Sequence, residues 1–196
     1  MLNVISTLGK NILTIENPVE YELRGITQVS VDPDQKMGFA EALRAGLRQD
    51  PDVILVGEIR DEETIEIAVK VALADHLVLT TLHSWNALTV IQGLVKLGIS
   101  RDFVAETLNF IVSQKLVRRL CRHRGHGKTC SRCRGSGYSR RVPLYEILRV
   151  NQDLRDRIRK GRTGKRLTEG LSGLYICPMW KTAGRLAELK RTDWQE

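Results

Sequence analysis

Residues 52–64 read DVILVGEIRDEET, and this stretch decides the fold class. Val53–Val56 is a continuous apolar run that is too short for a helix, so it predicts a strand buried on both faces. Acidic residues at positions 61–63 follow closely, and carboxylates stabilise the N-terminus of a helix. The stretch therefore predicts a buried strand, a short turn and then a helix that continues to Ala74.

Strand-like and helix-like segments alternate on both sides of this stretch. The hydrophobic pattern predicts strands over residues 11–16, 26–31 and 77–82, and helices over residues 39–49, 87–97 and 101–120. Residues 77–82 (LVLTTL) also predict a buried strand. Alternation of this kind indicates an α/β fold with a largely parallel sheet and helices on its faces.

Composition excludes several classes of protein. The chain has 196 residues, of which 42% are hydrophobic and 28% charged, and this balance argues against a mainly disordered chain. No apolar run approaches ~18 residues, so no membrane span is predicted. The first residues are too polar for a signal peptide. Four cysteines are too few for a disulfide scaffold, and a reducing cytosol is the expected compartment.

Charge is distributed unevenly along the chain. Residues 1–100 hold 8 Lys and Arg against 14 Asp and Glu, a net charge of −6, whereas residues 101–196 hold 23 against 9, a net charge of +14. Residues 115–141 carry ten of these cations, three cysteines and no acid, which predicts a loop or a small knuckle. Three parts are expected: a core over 1–114, this basic segment over 115–141, and a strand with helices over 142–196.

Polar side chains stand where three predicted strands end. Glu16 ends one strand, Glu58 follows the next, and His83 follows a third. Ligands of parallel sheets bind at the carboxyl ends of the strands, where carboxylates can hold Mg²⁺ and water beside a nucleotide. Without further evidence, the acids could equally be surface residues at the ends of core strands. The histidine could be an ordinary core or surface residue.

Three long motifs carry a family resemblance. TIENPVEY (14–21), ALRAGLRQDPDVILVGEIRDEET (42–64) and HLVLTTLHSWNA (76–87) closely resemble the type II secretion and type IV pilus assembly ATPases. The resemblance implies a RecA-like P-loop NTPase core that uses ATP and Mg²⁺. It also implies a homo-hexameric motor at the cytoplasmic face of the bacterial inner membrane, in contact with a platform protein of that membrane.

The resemblance also implies roles for individual residues. Glu16 corresponds to the catalytic base that orients the attacking water, and Glu58 acts on Mg²⁺ through water. His76 and His83 are expected near the phosphates or the subunit interface. Three arginines within the matched motifs are expected to contact phosphate or a neighbouring subunit: Arg44, Arg48 and Arg60.

Two positions depart from the family pattern. Asn17 stands where the family usually has Asp, which removes one charge beside the site. Asp75 stands where the family usually has Gly, directly before His76.

A phosphate-binding loop of the form G-x-x-x-x-G-K-[ST] does not occur in the 196 residues. The string at residues 9–11, Gly-Lys-Asn, lacks the first glycine and the hydroxyl residue. That loop supplies the backbone N–H groups and the lysine that bind the phosphates. The resemblance places Met1 in the helix that normally follows the loop. We therefore expect the chain to correspond to the C-terminal half of a longer motor, to bind ATP poorly alone and to expose a strand edge.

The cysteines suggest a metal site. Cys130 and Cys133 form a C-x₂-C pair, and many members of the resembled family carry two such pairs in a zinc-binding insert. Here Cys121 stands where the first pair begins, but Arg124 replaces its partner. Zinc takes four ligands, so His126 is the candidate that would complete the set. The alternative is a degenerate loop with free thiols.

Two other functions remain open from the sequence. A catalytically incomplete fragment would act only through protein interaction. A basic zinc knuckle would bind nucleic acid, but the segment offers only Tyr138 as an aromatic platform for bases, so this alternative is disfavoured. Anionic lipid or an acidic protein surface is the expected partner of the positive charge.

Overall fold

Two sheets organise the computed structural model, which describes residues 2–6, 8–32, 37–84, 86–123, 130–171 and 173–192. The first sheet is parallel and contains β1 (Ile12–Glu16), β2 (Thr27–Ser30), β3 (Val53–Val56) and β4 (Leu77–Thr80). Its spatial order is β2-β1-β3-β4. The second sheet is antiparallel, in the order β5-β6-β7, and contains β5 (Phe110–Leu120), β6 (Tyr138–Arg149) and β7 (Tyr175–Cys177).

Helices cover the parallel sheet and connect it to the antiparallel β5–β6 hairpin. They are α1 (Leu2–Ser6), α2 (Phe39–Gly46), α3 (Glu62–Leu73), α4 (Ala87–Lys96), α5 (Arg101–Thr107), α6 (Gln152–Arg159) and α7 (Met179–Glu188). None of the helices in the described ranges is both long and apolar enough to cross a membrane. The predicted α/β fold class is confirmed.

The main core is built on the two central strands. The side chains of β1 and β3 are almost fully buried, and α2 packs across β1. A Cβ at Gly46 would collide with the Leu13 side chain, so the absence of a side chain lets the helix lie close to the strand. Burial of a Leu or Ile side chain contributes about 1.5–3 kcal/mol, so this contact region carries much of the stability.

The structure confirms most of the strands and helices that the sequence predicts around the parallel sheet. Strands occur within the predicted segments 11–16, 26–31 and 53–56. Helix α3 begins after Asp61, whose side chain accepts hydrogen bonds from Thr64 N at 2.7 Å and Thr64 Oγ1 at 2.8 Å. Asp61 is therefore an N-cap, the role that favours a short acidic side chain at a helix start.

The prediction of a helix over residues 101–120 is wrong beyond Thr107. Residues 110–120 instead form β5, in which Ile111 and Val117 are buried while Val112 and Leu116 are exposed. This two-residue alternation is that of a strand with one face on the core. Pairing along almost the whole length of β6 overrides the local helical pattern.

The basic segment also differs from its prediction. Residues 115–120 belong to β5 and residues 138–141 to β6, so the predicted loop is shorter at both ends and the boundary at 114/115 falls inside a strand. Residues 142–148 are the centre of β6 rather than a short separate strand.

Strand β4 is not buried as predicted. Within the described residues it pairs only with β3, and Leu77 keeps 46% of its surface exposed. An apolar strand is fully buried only when other elements cover both of its faces and other strands pair with both of its edges. The expected open strand edge is therefore present at β4.

Asp75 adopts the left-handed conformation, with φ 65°, in the turn between α3 and β4. A Cβ is strained in this region by about 1–2 kcal/mol, whereas glycine is not. This explains why the resembled family places glycine at the position.

Replacing Asp75 by Gly is expected to increase the free energy of unfolding by about 0.5–1 kcal/mol, because relief of strain exceeds the added entropy of the unfolded chain. Urea denaturation of the 196-residue chain measures this change. Asp153→Gly, in the first turn of α6, is the matched control and should lower stability. A lower urea midpoint for Asp75→Gly would contradict this account.

Candidate active site

Glu16 and Glu58 lie at the carboxyl ends of two neighbouring strands. Glu16 is the last residue of β1, and Glu58 follows β3. Ile15 lies opposite Val56 in the parallel register, so Glu16 lies beside Gly57. Gly57 N donates a hydrogen bond to Ile15 O at 2.7 Å. A Cβ at Gly57 would lie 3.0 Å from that same oxygen, closer than side chains normally approach. Glycine therefore lets the chain turn past Glu16 without displacing the backbone of β1.

Two donors hold the Glu16 carboxylate. Thr14 Oγ1 donates to Glu16 Oε1 at 2.7 Å, and Gln28 Nε2 donates to the same oxygen at 3.0 Å. Thr14 is fully buried in β1. Gln28 is held in turn by Leu23 N, which donates to Gln28 Oε1 at 2.6 Å. Glu16 Oε2 accepts no hydrogen bond from the described residues, so it can accept one from a water molecule.

The Glu58 carboxylate lies near two side chains, one arginine and one histidine. Arg60 Nη2 lies 2.8 Å from Glu58 Oε1, and His83 Nε2 lies 3.8 Å from Glu58 Oε2. The Glu58 side chain is only 18% exposed, whereas that of His83 is 94% exposed. The site therefore combines a sheltered carboxylate with an imidazole that solvent or a ligand can reach.

Thr81 joins the segments that follow β3 and β4. Its Oγ1 donates to Gly57 O at 2.6 Å, and Ile59 N donates to Thr81 O at 3.3 Å. These bonds flank Glu58 on both sides and bring His83 towards it. Two carboxylates and one imidazole at a single sheet edge can hold a hydrated divalent cation and orient a water molecule.

His76 lies at the other end of β4. It precedes the strand, and its Nδ1 is 2.8 Å from the carbonyl oxygen of Pro51, which precedes β3. Because the strands are parallel, this position is at the amino edge of the sheet, opposite Glu58. The structure therefore does not bring His76 to the carboxylates, and the order of His76 before its strand is the sequence signal that could have shown this.

The three candidate arginines lie in different settings. Arg60 pairs with Glu58. Arg44 Nη2 lies 2.5 Å from Glu63 Oε1, an exposed ion pair between α2 and α3. Arg48 is exposed in a 3₁₀ turn over Leu47–Gln49. Contacts of these arginines with phosphate or a neighbouring subunit stay predictions.

Sequence reasoning missed three residues that position the acids. These are Thr14, Gln28 and Thr81, which act through the hydrogen bonds described above. A polar residue inside an otherwise apolar strand was the available signal for Thr14. No local signal marks Gln28, because only the pairing of β2 with β1 places it beside Glu16.

Three cysteine thiols form a second, separate cluster. The Sγ atoms of Cys121, Cys130 and Cys133 all lie within 4.8 Å of one another, and all three residues are buried. Cys121 Sγ and Cys130 Sγ are 3.8 Å apart. Candidate ligand His126 lies outside the described residues. His123 is described and exposed, two residues after Cys121.

The backbone around the cluster favours thiolates. Hydrogen bonds from the N–H groups of Cys133 and Arg132 lower the pKa of Cys130 to about 7. Burial raises the pKa of Cys133, against the effect of N–H groups from Gly137 and Gly135. Backbone N–H groups directed at cysteine sulfur suit metal-bound thiolates, because they stabilise negative charge on the ligand.

Comparison with known proteins identifies relatives of the chain. The family model described as Type II/IV secretion system protein matches residues 1–190. Type II secretion system protein HxcR of Pseudomonas aeruginosa is 44% identical, over 81% of this chain and 35% of its own. Type II secretion system protein E of Klebsiella pneumoniae is 40% identical, over 100% of this chain and 44% of its own. The chain thus spans less than half the length of these relatives.

Solved structures give a consistent result. The pilus retraction motor PilT, in a crystal structure with bound ADP, superposes with a TM-score of 0.77 at 31% identity, covering 100% of this chain and 54% of PilT. The Legionella pneumophila ATPase DotB shares the fold, with a TM-score of 0.73 at 24% identity, over 98% of this chain and 53% of DotB. The RecA-like ATPase fold implied by the sequence motifs is therefore confirmed. Because the family model covers nearly its whole length, the chain belongs to the type II/IV secretion system protein family.

Proposed function

We propose that this chain is the C-terminal motor portion of an ATPase that powers type II protein secretion or type IV pilus assembly. The observation that carries the proposal is the placement of Glu16 and Glu58 at the ends of adjacent parallel strands, with His83 beside Glu58. The curated relatives are named as secretion proteins and as a pilus assembly ATPase, PilB of Thermus thermophilus, which is 40% identical over 86% of this chain and 22% of its own.

Glu16 is proposed as the base that orients the attacking water. Thr14 and Gln28 both bond to Oε1 and fix the carboxylate plane, and this leaves Oε2 for the water. A base held in this way can take a proton as the water attacks, without first reorganising.

Glu58 would hold Mg²⁺ through water. Its carboxylate oxygens are the ligand type that this ion prefers, and its sheltered position limits competition from solvent. Bound Mg²⁺ neutralises charge on the phosphates. Arg60 balances the charge of Glu58 in this structure. Arg60 and the exposed His83 are proposed to contact a phosphate.

The full activity requires a phosphate-binding loop, which these 196 residues do not contain. The open edge of β4 is proposed as the place where the strand that carries such a loop would pair. Homo-hexamer formation, contact with an inner-membrane platform protein and a position at the cytoplasmic face of that membrane are further parts of the proposal, and rest on the family resemblance.

A chimera tests the catalytic assignment. Residues 1–190 would replace the matching C-terminal part of the Klebsiella pneumoniae relative, which would supply the remaining sequence. Glu16→Gln and Glu58→Gln should each lower kcat by roughly 10²–10³-fold, because each removes a charged group needed at the reacting phosphate. Steady-state phosphate release measures the effect.

Glu62→Gln is the matched control, since this exposed acid lies on α3 outside the cluster; it should change kcat by less than about twofold. The 196-residue chain alone should bind ATP more weakly than about 1 mM. Full ATPase activity in the Glu16→Gln chimera, or micromolar ATP binding by the chain alone, would contradict the proposal.

The outer face of the β5–β6 hairpin is proposed as a protein contact in the motor. Phe110, Val112 and Leu116 are 55%, 58% and 54% exposed and share this face with Tyr145. Contiguous exposed apolar side chains of this size typically mark interaction sites.

Substituting Leu116 by Asp should reduce self-association of the chimera, because burial of a carboxylate at an apolar contact is costly. Sedimentation velocity at several concentrations measures this. Leu189→Asp, on an equally exposed leucine after α7, should leave the distribution unchanged. An unaltered distribution for Leu116→Asp would show that the hairpin face is not a subunit contact.

A structural zinc ion is the second proposed component. Cys121, Cys130 and Cys133 converge, and backbone N–H groups point at two of the sulfurs. Zinc bound there by three thiolates and a histidine would tie the end of β5 to the turn before β6. The donor set fits Zn²⁺, which prefers sulfur and nitrogen in tetrahedral geometry.

The purified chain is expected to retain a single zinc ion, which Cys130→Ser should release. Cys177→Ser is the control, since Cys177 pairs with Ile147 at the opposite end of the hairpin. Zinc content measured by atomic emission, and Co²⁺ absorption of the His123→Ala and His126→Ala variants, identify the fourth ligand. Equal zinc content in wild type and Cys130→Ser would exclude the site.

A further inference from the structure

A cavity of about 300 Å³ opens between α4, the start of α5 and the turn after α6. Its apolar floor contains Ile91, Val95 and Ile158, of which Ile91 and Ile158 are buried in the main core. Its rim holds three cations, Lys96, Arg101 and Arg162, together with Gln92 and Thr163. No carboxylate lies among the described residues that line it. The cavity shares no residue with the sheet edge that holds Glu16 and Glu58.

Nearby acids are already used by another arginine. Arg159 lies 3.9 Å from Asp102, 2.9 Å from Glu106 and 3.2 Å from Asp156. Arg155 donates hydrogen bonds to the carbonyl oxygens of Ala105 and Glu106 and to the side chain of Asn109. These arginines have a structural role, because they join α6 to α5.

The three rim cations have no such role. In the described part of the chain, Lys96, Arg101 and Arg162 form no ion pair and no side-chain hydrogen bond. Three positive charges around one opening, without a compensating acid, repel one another and favour an anion.

One of these cations, Arg101, lies beside the glycine of the turn after α6. Gly161 has φ 70°, and a Cβ at this position would lie 3.4 Å from Cζ and Nε of Arg101. The Arg101 guanidinium group therefore lies against the backbone of the turn, beside the cavity. Its N–H groups are free to form the paired hydrogen bonds with which guanidinium groups bind phosphate oxygens.

We propose that this cavity binds an organic phosphate, with the phosphate group on the three cations and a compact apolar part on the Ile91–Val95–Ile158 floor. The volume lies at the lower end of the range for small-molecule sites, which suits a phosphate monoester of modest size or the headgroup end of an anionic lipid. The proposal is independent of ATP hydrolysis, because it rests on residues outside the strand-end site.

Titrations of the 196-residue chain test the proposal. The probes are inorganic phosphate, phenyl phosphate and vesicles that contain phosphatidic acid, with pure phosphatidylcholine vesicles as blank. Phenyl phosphate should bind at least about tenfold more tightly than inorganic phosphate, because its ring covers the apolar floor. Chemical-shift changes should be largest at residues 91–96, 101 and 158–163.

Variants separate this site from general attraction to a basic protein. Arg101→Gln combined with Arg162→Gln should weaken phenyl phosphate binding at least about tenfold. Arg101→Lys should give an intermediate loss, since it keeps the charge but not the paired donors. Arg185→Gln, an exposed arginine in the last turn of α7, should have no effect.

The vesicle arm identifies the source of the phosphate group. Binding to phosphatidic acid vesicles without binding to phenyl phosphate would assign the site to a lipid, and tight binding of phenyl phosphate would assign it to a soluble ligand. Either result must be lost in the Arg101, Arg162 double variant. Binding that is unchanged in that variant, or wild-type protein with no response to either probe, would overturn the proposal.

Discussion

Parallel hydrogen bonding between β1 and β3 is the constraint on which the candidate site depends. In its register β1 and β3 end side by side at the same edge of the sheet. Glu16 therefore lies next to Gly57, the residue before Glu58. Gly57 allows this because a side chain there would meet Ile15 O. A slip by one residue would turn Glu16 to the other face of the sheet. The register therefore places the backbones of the two acids close together at one edge of the sheet.

The two halves of the chain use charge differently. The acidic half concentrates carboxylates at one sheet edge, where a cation and water are needed. In the basic half, some of the arginines form bonds within the protein. Arg155 and Arg157 donate hydrogen bonds to carbonyl oxygens, and Arg159 pairs with acids of α5 and α6. Lys96, Arg101 and Arg162 around the α4–α5–α6 cavity form no such bonds within the described residues. Net charge by itself would not have separated structural arginines from free ones.

Short-range patterns predicted the parallel sheet well. The apolar run before Gly57 and the acids after it describe a strand and a capped helix without reference to any other part of the chain. The same reasoning failed for residues 110–120, because their apolar positions fit a helix locally, and only the long antiparallel contact with β6 selects the strand. It also failed for β4, since an apolar run does not show whether a neighbouring strand covers its edge.

The sequence by itself determined the fold class and the family, and it marked Glu16 and Glu58 as candidate site residues, because buried strands and the polar residues that end them occupy consecutive positions. Only the tertiary structure decided which side chains meet. It placed His83 beside Glu58 and His76 at the opposite edge, supplied Gln28 from a second strand to hold Glu16, and gathered three cysteines around one point. These contacts join residues distant in sequence, and their distances depend on strand register and helix packing rather than on local propensity.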